Sequence, residues 1–248
     1  RMLQLLEKHY RTPVDTEFTA RIIEPFSLKP EIQITLLQCR PQSHLKESSA
    51  RFPTRLYPGD IIFSTHGLVP QGYVAGIEYV IFVPPEGYFG LPTPEARSNL
   101  ARAIGRLNAA LEKKTFICIG PGRWGTTNPD LGVGIGYADI YNTRALVELA
   151  GKGVGIAPEP SFGTHFFQDL VESNIYPLAI PLDEEGVIFN RDFFYKTPNR
   201  LVDFMPAEYW EDTLRLIEVA SFRPGHRIDL AMSDEHNRAV AFLVTEWT

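Results

Sequence analysis

Tyr73-Val-Ala-Gly-Ile-Glu-Tyr-Val-Ile-Phe-Val83, Thr93-Pro-Glu95 and Thr115-Phe-Ile-Cys-Ile119 follow one another along the chain. Their order reads strand, helix, strand, and predicts a right-handed crossover unit within a mixed α/β domain. In the first run Tyr73, Ala75, Ile77, Tyr79, Ile81 and Val83 alternate with smaller or polar partners. The run then turns apolar throughout, as in a central strand buried on both faces. Thr93 suits a helix cap, Pro94 is tolerated at the first helical position, and Glu95 complements the positive N-terminal end. Ala96, Leu100, Ala103, Ile104, Leu107 and Leu111 then fall at helical spacing. Further strands are expected over Gly59–Ser64, Ala145–Leu149, Tyr176–Ile180, Val187–Phe189, Leu214–Val219 and Arg238–Thr245, with a helix from Thr164 to about Ser173.

Composition fits that reading. A chain of 248 residues has room for one large domain or two small ones. With 44% hydrophobic and 22% charged residues, the mixture is that of an ordinary globular chain. The net charge of −6 argues against a general nucleic-acid surface, which needs a basic stripe. No apolar run approaches ~18 residues, so neither a membrane span nor a membrane partner is expected. Cys39 and Cys118 each lie in an apolar, strand-like run without metal-ligand spacing. They read as buried free thiols in a reducing cytoplasm. Residues 43–58 are polar and punctuated by Pro53 and Pro58, and read as a linker.

Upstream of that linker, Asp15-Thr-Glu17-Phe-Thr-Ala20 and Leu36-Leu-Gln38-Cys-Arg40-Pro41 also read as strands. Phe18, Ala20 and Ile22 share one parity, and Asp15, Glu17, Thr19 and Arg21 share the other, so one face is apolar and one polar. In an antiparallel hairpin about the Pro25–Pro30 loop, Asp15–Arg40 and Glu17–Gln38 have equal position sums. Each pair therefore meets across ~5.5 Å. Carboxylate and amide oxygens suit Mg²⁺, and a guanidinium fork suits phosphate oxygens. The same spacing also suits an ordinary exposed hairpin with a cross-strand ion pair.

An acid-x-Glu-Phe strand followed by a Leu-Gln-x-Arg strand resembles the end of the ATP-grasp nucleotide-binding domain in pyruvate phosphate dikinases and phosphoenolpyruvate synthases. The likeness covers roughly residues 1–42, about a sixth of the chain. It implies that Glu17 and Gln38 are metal–ATP ligands and that Arg40 is a nearby phosphate or structural contact. ATP and Mg²⁺ would be cofactors of the intact protein only. In that family the glycine-rich lid, a nucleotide-binding Lys and a catalytic Arg lie upstream. This chain opens at Arg1 inside what reads as the last turns of a helix (Met2, Leu5, Leu6). It therefore reads as the C-terminal piece of a longer protein whose upstream ATP-grasp lobe is the expected partner. The family's phosphohistidine segment is missing, as is the length for a barrel of ~250 residues.

Two further constellations lie downstream. Thr115–Ile119 runs into Gly120-Pro-Gly122-Arg123-Trp124-Gly125. A glycine-rich loop at the end of a strand is where open α/β sheets place ligands, and unpaired backbone N–H groups with an Arg fork attract an anion. Trp124 is available to stack on a planar ring. The segment matches neither the P-loop nor the dinucleotide fingerprint, and a rigid turn is the alternative. In Ser161-Phe-Gly163-Thr164-His165-Phe-Phe-Gln168-Asp169, Ser161 or Thr164 can cap a helix whose free N–H groups attract an anion. His165 and Asp169 are four apart on one helix face and suit proton transfer. The alternative is a capped core helix with His165 hydrogen-bonded inside. Gly-Pro-Gly-Arg-Trp-Gly and Gly-Thr-His-Phe-Phe also resemble the extra C-terminal region of some phosphoenolpyruvate synthase-like proteins.

The expected architecture is α/β: an N-terminal β-hairpin remnant of an ATP-grasp lobe (1–42), a linker (43–58) and a mixed α/β domain (59–248). The leading functional expectation is part of an ATP-dependent phosphotransferase of the phosphoenolpyruvate synthase/pyruvate dikinase type, inactive as the 248-residue chain alone. A non-catalytic module binding an anionic small molecule through Gly120, Gly122, Arg123 and the His165 helix is the second. A hydrolase or transferase centred on Arg123, His165 and Asp169 is the third.

Overall fold

The structure, a computed structural model, describes residues 2–11, 14–27, 29–41, 52, 53, 55–152, 154, 161, 164–206, 210 and 212–245. They fall into two units, 1–44 and 45–248.

In the first unit a helix, α1 (Met2–Tyr10), touches a two-stranded antiparallel hairpin of β1 (Val14–Ile23) and β2 (Glu31–Pro41). Asp15 opposes Arg40 and Glu17 opposes Gln38, as the position sums require. Beyond that point the register slips by one: Phe18 opposes Leu36, leaving Leu37 as an extra residue on β2. Phe18, Ala20 and Ile22 face Leu36, Ile34 and Ile32 on one side of the ribbon. Thr19–Thr35 and Arg21–Gln33 continue the polar side of Glu17 and Gln38. Among the residues of this unit whose side chains are described, none is buried.

The second unit contains β3 (Ile61–His66), β4 (Gly72–Ile77), β5 (Tyr79–Phe82), α2 (Pro85–Phe89), α3 (Pro94–Ala110), β6 (Phe116–Pro121) and β7 (Ala145–Ala150). It continues through α4 (His165–Glu172), β8 (Tyr176–Pro181), β9 (Ile188–Phe189), β10 (Arg215–Glu218), α5 (Val219–Phe222), β11 (His226–Ser233) and β12 (Arg238–Thr245). One sheet has the order β10-β5-β6-β7-β8, parallel from β5 to β8 with β10 antiparallel at its edge. The other, β4-β11-β12-β3-β9, is wholly antiparallel.

Alternation along the strands explains the layering. Val80 and Phe82 on β5 join Ile117, Val147 and Leu178 in a core shared with Ile62, Leu230 and Ala241 of the antiparallel sheet. Ile81, Cys118 and Leu146 point the other way, onto Leu100, Ile104 and Leu107 of α3 and Leu170 of α4. The mixed sheet is thus buried on both faces, between the second sheet and the helices. The expected start of α3 is present: the Thr93 hydroxyl accepts the Ala96 N–H at 3.1 Å.

The run Tyr73–Val83, expected as one strand, is two strands in different sheets. Gly76, at φ +67°, sits at an irregularity in the β4–β11 pairing and donates its N–H to Asp229 Oδ1 at 2.8 Å. Glu78, between the strands, accepts from Lys114 Nζ at 2.9 Å. Strand β11 was not among the expected elements, and Val219 opens α5 rather than closing a strand. Cys118 is buried, whereas Cys39 is only half-buried. In the stretch read as a linker, residues 43–51 and 54 lie outside the described residues. Phe52 and Leu56 pack on the outer face of the antiparallel sheet against Ile61, Val240 and Phe242. Among the described residues no helix is long and apolar enough to cross a membrane.

Candidate functional site

The hairpin delivers the acid and the amide to one polar face. Glu17 is exposed and Gln38, its direct cross-strand partner, is half-buried. Directly opposed residues lie on the same side of a ribbon, about 4.5–5.5 Å apart. The bulge falls immediately after Glu17, a position where such irregularities re-aim side chains. Arg40 stands opposite Asp15 in the same register. Among the described residues no three His, Cys, Asp or Glu side chains cluster as a metal site. Mg²⁺ held largely through substrate phosphates needs only one or two protein oxygens. Glu17 and Gln38 can supply that number.

The glycine-rich loop differs from its expected role in three respects. Its backbone donors have acceptors within the protein: Gly122 N–H bonds Leu149 O (2.9 Å), Arg123 N–H bonds Leu131 O (2.9 Å) and Gly125 N–H bonds Val133 O (3.1 Å). Trp124 N–H bonds Glu148 Oε1 (2.8 Å). The unpaired N–H groups on which the anion argument rested are therefore not present in this run. Second, Trp124 is 1% exposed and cannot stack on a ligand from solvent. Its indole lies over Gly120, where a Cβ would come within 2.6 Å of the ring. Third, the parallel strands run in sequential order, and α3 and α4 both cover the same face. Among the described parallel strands the order does not reverse, and such a reversal is what forms the switch-point crevice of open α/β folds.

The loop and the α4 segment nevertheless meet. A Cβ on Gly125 (φ +71°) would lie 2.3 Å from the Phe166 ring, so that ring occupies the space beside the glycine. Thr164 caps α4, accepting the Phe167 N–H at 3.2 Å. His165 and Asp169 are both exposed on the first two turns, so His165 is not the interior residue of the core-helix alternative. Arg123 is half-buried.

Between the two segments stands a residue not among the sequence candidates. Glu148, on β7, is 6% exposed. Its Oε2 accepts the Ser161 N–H at 2.6 Å, and its Oε1 lies 2.5 Å from Ser161 Oγ as well as accepting from Trp124. Ser161 Oγ is also 3.0 Å from Trp124 O. Burial raises the Glu148 carboxyl above the ordinary carboxylate range, against the Ser161 and Trp124 hydrogen bonds and the Arg123 charge. The hydroxyl has one proton and two acceptors within reach. It can donate to Glu148 Oε1 or to Trp124 O. The available signal was an acid inside the apolar run Ala145–Ala150.

No family model matches the chain, and neither a curated protein nor a solved structure matches it.

Proposed function

We propose that the chain serves an ATP-dependent phosphotransferase resembling phosphoenolpyruvate synthase and pyruvate phosphate dikinase, contributing part of its Mg-ATP site from a cytoplasmic protein. In this reading Glu17 and Gln38 offer oxygens to the metal–nucleotide, Arg40 lies near its phosphates, and residues 45–248 form an appended domain. The observation that carries it is the register: Glu17 opposite Gln38 and Asp15 opposite Arg40 on one ribbon.

The opposite face of the ribbon supports an upstream lobe as partner. Phe18, Ile22, Ile32, Ile34 and Leu36 are 37–60% exposed there. Fully burying such a side chain stabilises by ~1.5–3 kcal/mol, so covering five that are about half exposed is worth roughly 4–7 kcal/mol. Anion sensing by the Gly120–Gly125 loop has less support, because its N–H groups bond within the protein.

The test is phosphoryl transfer by the intact protein bearing Glu17→Ala, beside Mg-ATP calorimetry on the 248-residue chain. Loss of a metal ligand should abolish transfer, and the chain alone should bind Mg-ATP weakly or not at all. Full activity in the mutant, or tight binding by the chain, would overturn the reading.

A further inference from the structure

A concavity of about 790 Å³ runs along the outer side of α3, within the size range of small-molecule sites. Asn99, Arg102 and Arg106 line one end. Spaced three and four apart, they share a helix face, while Leu100, Ile104 and Leu107 bury the opposite one. Arg102 donates to Asn99 Oδ1 at 3.1 Å, which orients its guanidinium.

The contrast with Arg97, one turn earlier on the same helix, is informative. Arg97 bonds Asp130 Oδ1 at 2.6 Å and Pro129 O at 3.1 Å, and lies 5.4 Å from the Tyr88 ring centre, so it has a structural task. Among the described residues no carboxylate pairs with Arg102 or Arg106. Both are exposed. Like charges at i and i+4 repel, and among the described residues no acid pairs with either to offset the repulsion. A chain of net charge −6 thus carries a cationic pair beside a groove, with no ion-pair partner among the described residues.

The rest of the groove sets the shape of its occupant. Glu95 lines the other end, ~10 Å along the axis from Arg102 at 1.5 Å per residue. It repels an anion from that end. Leu91, Pro92 and Ala96 give the groove apolar surface, and the buried Trp210 backs it. We infer that this groove binds a small phosphate monoester, its phosphate held by Arg102 and Arg106 and its uncharged body against Leu91, Pro92 and Ala96. Two guanidinium forks suit a dianionic phosphate, and accessible apolar side chains suit an uncharged body. The site uses none of Glu17, Gln38 or Arg40, so it stands whether or not the Mg-ATP reading does.

The test is binding of phenyl phosphate and inorganic phosphate to the full 248-residue chain, by thermal shift and tryptophan fluorescence at fixed ionic strength. Phenyl phosphate should raise the melting temperature at millimolar concentration, and more than inorganic phosphate does. Arg102→Gln and Arg106→Gln should each weaken binding by about 10-fold or more, while their ligand-free melting temperatures stay at the native value. Lys113→Gln, an equal charge change on an exposed residue outside the groove, should leave binding intact. Failure of both phosphates to bind, survival of binding in both arginine variants, or an equal loss in Lys113→Gln would overturn the inference.

Discussion

Replacing Glu148 tests the buried network that joins the glycine-rich loop to the segment before α4. Its carboxyl serves two backbone donors, Trp124 N–H and Ser161 N–H, and meets the Ser161 hydroxyl. In Glu148→Gln the amide oxygen can keep Ser161 N–H, and the NH₂ can donate to Ser161 Oγ. Trp124 N–H then loses its acceptor, at ~1–3 kcal/mol. Glu148→Ala strands both backbone donors and leaves a cavity, at roughly 3–6 kcal/mol. For a chain of this size each kcal/mol moves the melting temperature by about 2–4 °C, so the alanine variant should melt on the order of 10 °C lower. Urea unfolding with an unchanged slope is the direct assay.

The pH dependence follows from the direction of the shift. Burial raises the folded pKa of Glu148, so the folded chain keeps this proton where the unfolded chain has lost it. The resulting stabilisation is fully present below the unfolded value of ~4.3 and is lost as pH rises through the folded value. Glu148→Gln cannot titrate. Its deficit relative to the native chain should therefore be largest at the acid end of that window and shrink as pH rises. An alanine variant within ~1 kcal/mol of native, or a deficit that grows with pH, would refute the reasoning.

Gly125→Ala should destabilise by roughly 2–4 kcal/mol, since its φ is +71° and the new Cβ would enter the Phe166 ring. Gly186→Ala, at φ +84° but facing open space, should cost only about 1–2 kcal/mol, and equal losses in denaturant titration would contradict the packing argument. Thr93→Ala removes the α3 cap and should cost ~1 kcal/mol, with a loss of helical circular dichroism on heating that begins earlier than in the native chain. Thiol titration of the native chain at pH 8 should find Cys39 reactive and Cys118 silent until unfolding, because burial pushes the Cys118 thiol up to about 12; two fast thiols would refute it.

The parts of the fold that were legible in advance are those set by local chemistry. The Thr93 cap and the apolar spacing from Leu100 to Leu111 locate α3, and parity alone aligns Glu17 with Gln38. What was not legible depended on distant partners. Nothing local in Tyr73–Val83 says that its halves join different sheets, although Gly76 marks an irregularity two residues before the break. Strand β11 carries His226, Arg227 and Asp229, which blur its alternation. Asp229 is tolerated because Tyr73 Oη and Gly76 N–H bond it, and both lie more than 150 residues away. The slip after Glu17 is invisible to parity because β1 keeps its alternation and the extra residue, Leu37, sits on the other strand.

The glycine-rich loop shows why a motif and its chemistry can part. A glycine needed for an anion to approach backbone and a glycine needed for a ring to approach backbone look the same in sequence. Here the approaching groups belong to the protein: Trp124 over Gly120, Phe166 beside Gly125, and the Arg123 backbone against Gly132. Glu148 completes the argument. A carboxyl in an apolar strand is costly without donors, and its donors come from Trp124, 24 residues before it, and Ser161, 13 residues after it. Two segments that read separately as candidate anion sites are therefore joined through one buried acid. Substitutions in either segment should be judged first by what they do to Glu148, and only then by any effect on a ligand.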